Sequence, residues 1–395
     1  MKRVLFVDHV NRILGGAEVN LLELLPVFAH QQRWVPACAC ANHSPLSRAL
    51  ANFPIKQWEH QFDSALNEAR FTNGLLPVLR LPAALKALGN AGGKLNEIFD
   101  KFEPHVVVSC TNKDHFCAGR TCKPRRIPSV WWVNDVLSAD FFSWPVRRAF
   151  FKEAQQHAKR LVVVSEYSRR ILVNGGLPEA AVRTVYNGVS VDRYQTAERG
   201  IMREMCGLSK DEPVIGLVGR ITPWKGHRMF VELAKTWIEA RLPGNFVIVG
   251  KPFNEDQRFE AELHRFVAKH KFEDRIHFVP FQTNVAATLR DLDVLLHTSL
   301  RPEPFGRIII EAMAAGVTVI AARAGGVPEV ITHESDGLLA TPGDAADYLN
   351  CLHRVVDDAT LATQLRENAL KTVRARFSME HMQQQFEQVL DEAAV

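Results

Sequence analysis

The chain has 395 residues, 47% hydrophobic and 23% charged, a length beyond what one hydrophobic core usually organises, so two domains are expected. No apolar run reaches the roughly 18 residues of a membrane-spanning helix, because the candidate stretch 307–322 is broken by Arg307, Glu311 and Gly316. The net charge of +4 hides an asymmetry: residues 1–190 hold 24 Lys/Arg against 15 Asp/Glu (+9), and the remainder 24 against 29 (−5).

A basic amino-terminal half suits a phosphorylated acceptor or an anionic membrane face. Nucleic acid is excluded as a partner on the lack of a basic recognition helix, zinc finger or RNA-binding signature. Met1–His9 reads as a strand running into a turn and not as a signal peptide, so a cytoplasmic location is expected, on the membrane face if the basic half docks there. The seven cysteines are scattered without disulfide or zinc spacing; Cys117 and Cys122 find no second pair.

Taken in chain order, short β-rich runs alternate with amphipathic stretches. Val4–Val7, Val106–Ser109, Val130–Val133 and Leu161–Ser165 are expected strands of the first half. Val214–Val218, Phe246–Val249, Ile276–Val279, Val294–His297 and Val317–Ala321 repeat the rhythm in the second. The alternation predicts an α/β protein with two Rossmann-like, doubly wound, mostly parallel sheets. Their ligand loops, following the strands, are expected to face each other across a cleft. The domains are placed at 1–190 and 191–377, after a short strand Thr184–Tyr186 and the turn Asn187-Gly188; a last helix over 378–395, opened by Ser378, is expected to pack back on the first domain.

The strongest block is Arg301-Pro-Glu303-Pro-Phe305-Gly306-Arg307 running into the apolar helix Ile308–Gly316. Glu303 precedes the helix and Glu311 lies inside it, eight positions on, so the two carboxylates can address opposite ends of one ligand. The backbone amides of Phe305, Gly306 and Arg307 stand at the positive end of the helix dipole, where a sugar hydroxyl or phosphate oxygen fits. The plainer alternative makes Glu303 a first-turn carboxylate and Glu311 a surface charge. Against it, Glu311 stands among Ile308–Ala315, too apolar a helix to be freely exposed, and a buried acid needs a hydroxyl or cationic partner.

This block resembles the GT4 family of GT-B glycosyltransferases, whose E-x7-E motif matches Glu303 and Glu311 and whose continuation E-A-M-A-x-G-x-P-V-I-A is echoed by Glu311–Ala321. Further correspondences run along nearly the whole chain: Gly15-Gly16-Ala17-Glu18, Val164–Ser168, Tyr186–Val189, Val218-Gly219-Arg220-Ile221 with Lys225-Gly226, and Ala324–Glu329. The resemblance implies a GT-B fold and retaining transfer of a hexose from a UDP- or GDP-sugar to a saccharide or lipid-linked acceptor, in surface polysaccharide or glycolipid synthesis. It implies donor-sugar contact for Glu303, a ribose hydrogen bond for Glu311, and stabilisation of the leaving diphosphate by Arg220 and Lys225 without a metal or other cofactor. Alone, Arg220 and Lys225 would be solvated loop cations; their place after a strand, on either side of 221–224, supports the diphosphate role.

Gly15 and Gly16 form the first strand-to-helix turn, where missing Cβ atoms allow close approach to the donor diphosphate or the acceptor; a plain turn is the alternative. Gly219 ends the second half's first strand as a donor-loop glycine. Phe281, Gln282 and Thr283, with Lys251–Phe253, are candidates for the nucleobase. Asp291-Leu-Asp293 is set aside as a metal motif, Asp293 reading as a cap or pairing residue at a helix–strand junction. Many relatives carry a His after the fifth strand where Trp131-Trp132-Val133-Asn134-Asp135 stands here. Asn134 and His115 are the candidate acceptor or sugar contacts in its place. In the family's front-face mechanism the donor's own phosphate takes the acceptor proton, so no protein base is obligatory. The stretch Phe141–Lys152 mixes aromatics and cations and reads equally as a membrane-dipping helix or one that buries its rings in the core. Two other function classes remain: a GT-B-shaped nucleotide-sugar epimerase, which would need acid/base groups in place of the E-x7-E pair, and a catalytically silent nucleotide-sugar binder.

Overall fold

A computed structural model of the chain describes residues 1–10, 15–31, 33–62 and 81–395. They form two compact units, one of 1–188 with 379–395 and the other of 189–378.

The first unit is built on seven parallel strands: β1 (Lys2–Asp8), β2 (Trp34–Cys40), β3 (Lys56–Glu59), β4 (Val106–Ser109), β5 (Ser129–Val133), β6 (Arg160–Val163) and β7 (Val182–Thr184), in the order β3-β2-β1-β4-β5-β6-β7. β2 and β3 escape a reading by strand pattern. β2 contains Pro36 and small Ala and Cys residues in place of β-branched ones, and β3 is a short polar edge strand. The strand expected at 184–186 lies two residues earlier, paired to β6.

Under this sheet, Phe386 of the last helix (Met379–Ala393) sits between Phe6, Phe28 and Trp132, with ring centroids 5.0 to 6.3 Å apart. Met379, Met382, Val389 and Leu390 join the same core, and Asp391 and Glu392 pair with Lys2 and with Arg160 and Arg183 at its rim. The helix therefore belongs to this unit by burial, with exposed ion pairs adding little.

The helix Trp144–His157 shows how its mixed stretch is used. Phe150 is buried, Phe142 and Phe151 pack on the same apolar cluster, and only Trp144, 63% exposed, stands out, its ring 5.2 Å from the Arg148 guanidinium. Most of its aromatics serve the core.

The second unit has six parallel strands: β8 (Val214–Val218), β9 (Asn245–Val249), β10 (Ile276–Val279), β11 (Val294–His297), β12 (Thr318–Ala322) and β13 (Leu338–Ala340), in the order β10-β9-β8-β11-β12-β13. Trp237, Phe230, Phe246 and Tyr348 fill its core. Asp291 accepts from the amides of Gly200, Met202 and Arg203 at the start of the helix Ile201–Met205, while Asp293 takes the Arg203 guanidinium at 2.7 Å and the Val214 amide at 2.8 Å. Both carboxylates are thus tied into scaffold contacts.

In both sheets the chain starts in the middle, grows to one side, then crosses to the other, so the order reverses between β1 and β4 and between β8 and β11. The carboxyl ends of those strands, at the reversal, are where open α/β sheets hold ligands. Phe386→Ala is expected to destabilise the first unit by about 3–5 kcal/mol, read as a lower midpoint in denaturant unfolding; a change within error would show that the last helix is not part of this core.

Candidate functional site

In the second unit the loops leaving β8 and β11 are stitched together across the reversal point. The Leu300 amide donates to the Trp224 carbonyl at 2.8 Å, and Thr298 Oγ1 donates to the Lys225 carbonyl at 2.9 Å. Gly226, with φ of 79°, makes this approach possible: a Cβ there would lie 2.0 Å from the Thr298 carbonyl oxygen. Gly325, with φ of 66°, does the same behind Glu303, whose carbonyl accepts the Gly326 amide at 2.9 Å.

The loops hold Glu303, 6% exposed, against three donors that meet on one oxygen. Lys225 Nζ lies 2.6 Å and His297 Nε2 2.7 Å from Glu303 Oε1, and Ser299 Oγ donates to the same atom. Burial alone would raise this carboxyl; Lys225 and His297 outweigh it and hold it well below the ordinary range. Glu303 is therefore a fixed anion with one oxygen engaged. Its other oxygen has no hydrogen-bond partner among the described residues and is free to accept a ligand hydroxyl.

His297 and Ser299 are neighbours of Glu303 that the motif reading passes over. His297 is the last residue of β11, and position at a strand's carboxyl end is the sequence signal that could have flagged it. Its carbonyl accepts from Tyr348 at 2.9 Å, which fixes the backbone under the ring.

Glu311 lies in the helix Arg307–Ala315, 7% exposed, with the Arg307 Nε 2.7 Å from its Oε1. The cationic partner expected for a buried acid is thus one turn away on the same helix. Gly306, with φ of 85°, is the N-cap, and the Phe305 side chain is buried edge-on to Phe377 with centroids 5.7 Å apart. Arg220 lies over the Phe253 ring at 4.5 Å, and Gly219 donates its amide to the Val249 carbonyl at 2.9 Å. Lys251 Nζ, in the loop after β9, is 5.5 Å from the exposed ring of Phe281 in the loop after β10, where Gln282 donates to the Pro280 carbonyl, with Thr283 next in line.

Two expectations for the first unit are corrected. His115 is no cleft residue: it is 1% exposed, stacked on Trp131 at 5.0 Å and bonded through Nδ1 to Ser109 Oγ at 2.7 Å. Burial pushes it down to about 3, so it is a neutral core imidazole. The Gly15 amide is not open to a ligand either, because Glu18 reaches back to it at 2.6 Å as in a capping box, while Gly16 opens the helix Gly16–Gln31. Asn134, half-buried, turns its amide to the Trp132 carbonyl at 3.3 Å.

Among the described residues no group of three His, Cys, Asp or Glu side chains is arranged to hold a metal ion. All seven cysteines are free thiols, and among the described residues no helix is long and apolar enough to cross a membrane.

Residues 198–372 match the family model described as glycosyl transferases group 1, and residues 15–193 match that of glycosyltransferase family 4. Among curated proteins, the chain is 31% identical to D-inositol 3-phosphate glycosyltransferase 2 of Catenulispora acidiphila, over 56% of this chain and 53% of the relative. It is 30% identical to 2-deoxystreptamine glucosyltransferase of Streptomyces kanamyceticus, over 58% and 59%. The chain thus spans only about half to three-fifths of the length of these relatives. Among solved structures, HepE of Anabaena, in complex with UDP and glucose, superposes with a TM-score of 0.82 over 99% of this chain and 100% of the other at 24% identity.

Gly226→Ala is expected to cost about 1–3 kcal/mol through its strained φ and to loosen the pairing of the two loops, seen as a lower thermal midpoint. The depressed Glu303 carboxyl stays ionised above the ordinary carboxylate value, about 4.5, and its ion-pair stabilisation is lost only as pH falls through its own lower value. Carboxyl carbon NMR should therefore show no titration of Glu303 between about pH 5 and 9; a midpoint in that window would contradict the arrangement.

Proposed function

Since the chain belongs to glycosyltransferase family 4 and carries its GT-B fold, we propose that it transfers a hexose, with retention, from a UDP- or GDP-sugar to a saccharide or lipid-linked acceptor. The observation that carries this reading is the Glu303 carboxylate, ionised and pinned on one oxygen by Lys225, His297 and Ser299. Its second oxygen accepts donor-sugar hydroxyls, and its charge favours the positive character that develops on the sugar carbon as the bond to phosphate lengthens.

Lys225 and Arg220 are the cations assigned to the departing diphosphate, with the amides at 305–307, at the start of the helix, as further donors. They do this by charge and position alone, so the reading is metal-independent. Glu311, oriented by Arg307, accepts from the ribose hydroxyls. Phe281, Gln282 and Thr283 face the nucleobase, and UDP is favoured by the UDP complex of HepE. In a front-face displacement the acceptor proton passes to the departing phosphate, so Asn134 in place of the family's histidine leaves the step intact. Surface polysaccharide or glycolipid assembly at the cytoplasmic membrane face fits the basic first half and the exposed Trp144.

An epimerase would need a proton donor and acceptor on the sugar, whereas Glu303 is held as a permanent anion. Incubation with labelled UDP- and GDP-sugars separates the two: slow donor hydrolysis supports transfer, exchange at C2 supports epimerisation, and neither supports a silent binder. Glu311→Ala is expected to weaken nucleotide binding by roughly tenfold or more, the loss of a charged hydrogen bond. Lys225→Ala is expected to depress turnover mainly. Unchanged kinetics in both variants would refute the site assignment.

A further inference from the structure

The first unit has its own constellation at the reversal of its sheet, built from residues that the family motifs do not single out. His9 follows β1, His60 follows β3, and Thr111 and Asp114 begin the helix Asn112–Cys122 after β4. Asp114, wholly buried, bridges them: Oδ2 lies 3.0 Å from His9 Nδ1 and Oδ1 3.0 Å from His60 Nε2. Oδ2 also accepts the His9 backbone amide at 3.1 Å and Thr111 Oγ1 at 2.8 Å.

Four donors on one carboxylate leave Asp114 no part in chemistry except orientation. Burial opposes its charge, yet the two imidazoles hold the carboxyl far below its ordinary range. As an acceptor it fixes a proton on His9 Nδ1, so that in the neutral ring Nε2 carries the lone pair. That nitrogen makes no hydrogen bond among the described residues, and the His9 side chain keeps 11% of its surface exposed. The ring is further fixed edge-on to Phe62, with centroids 4.7 Å apart. Asp8 Oδ2 and His60 Nδ1, both buried, also lack partners among the described residues.

We infer that His9 is a hydroxyl-binding group of the acceptor subsite, its Nε2 accepting a hydrogen bond from a polyol or sugar hydroxyl, with Asp114 and His60 as positioning residues. The guest is a neutral hydroxyl and not a phosphate, because the one carboxyl held as an anion against the imidazole is Asp114, burial pushes the neighbouring Asp8 and Glu18 carboxyls up, and no Lys or Arg hydrogen-bonds to any of the three among the described residues. No proton transfer is asked of His9. The identification as an acceptor subsite rests on the transferase reading; the hydroxyl site itself rests on the geometry alone. It places the acceptor-side imidazole on β1, where the sequence lacks one after β5.

The test is long-range proton–nitrogen NMR of the histidine-labelled full chain, with His9 assigned through His9→Phe. Methyl α-D-glucopyranoside, myo-inositol and, separately, inorganic phosphate are titrated with and without UDP. His9 is expected to show a protonated Nδ1 and a bare Nε2 that shifts with a polyol. Asp114→Asn is expected to raise the half-saturating polyol concentration about tenfold without altering UDP affinity, a split that a merely structural role would not produce. A protonated Nε2, a response to phosphate alone, or a signal unmoved by either polyol overturns the proposal. If UDP fails to bind while a polyol still shifts Nε2, the donor reading falls and the hydroxyl site stands.

Discussion

The structure of the second unit turns on one ion cluster: a buried carboxylate, Glu303, that stays charged because a lysine and a histidine meet on one of its oxygens. An uncompensated anion at that depth would cost several kcal/mol, so the two loops carrying Lys225 and Glu303 are held to each other by electrostatics as well as by backbone bonds. Gly226 and Gly325 follow from that constraint, since a side chain at either would run into the backbone of the loop it abuts. The result is a rigid acceptor oxygen presented beside a cation, a combination suited to a sugar attached to phosphate.

Much of this was legible in the sequence, and the exceptions have physical reasons. The E-x7-E spacing and the loops at 219–226 and 301–307 carry their own signal, because glycine, proline and charge at strand ends have few structural uses. Strands β2 and β3 were not, since Pro36, the small residues of β2 and the polar edge sequence of β3 resemble loop. His115 misled because its loop-like neighbours say nothing of Trp131, which lies sixteen positions on and stacks against it. His9, His60 and Asp114 are 51 and 54 residues apart in turn, so only the folded sheet brings them to one point.

Both sheets share one strand order, and in each a pair of side chains bridges the reversal: Lys225 with Glu303 across β8 and β11, His9 with Asp114 across β1 and β4. The two pairs differ in chemistry: the second unit sets a lysine beside a buried carboxylate near a helix mouth, the arrangement proposed for a diphosphate, while the first sets an imidazole against the buried Asp114, the arrangement proposed for a hydroxyl. On the proposed reading, one architecture offers a phosphate-seeking site and a hydroxyl-seeking site, each specified by three or four side chains near strand ends.

A crystal structure with UDP bound locates the nucleotide without an assumed acceptor. Diphosphate oxygens are expected within hydrogen-bonding reach of Lys225 Nζ, and ribose hydroxyls on Glu311. A nucleotide bound away from residues 220, 225 and 303–311 would contradict this placement.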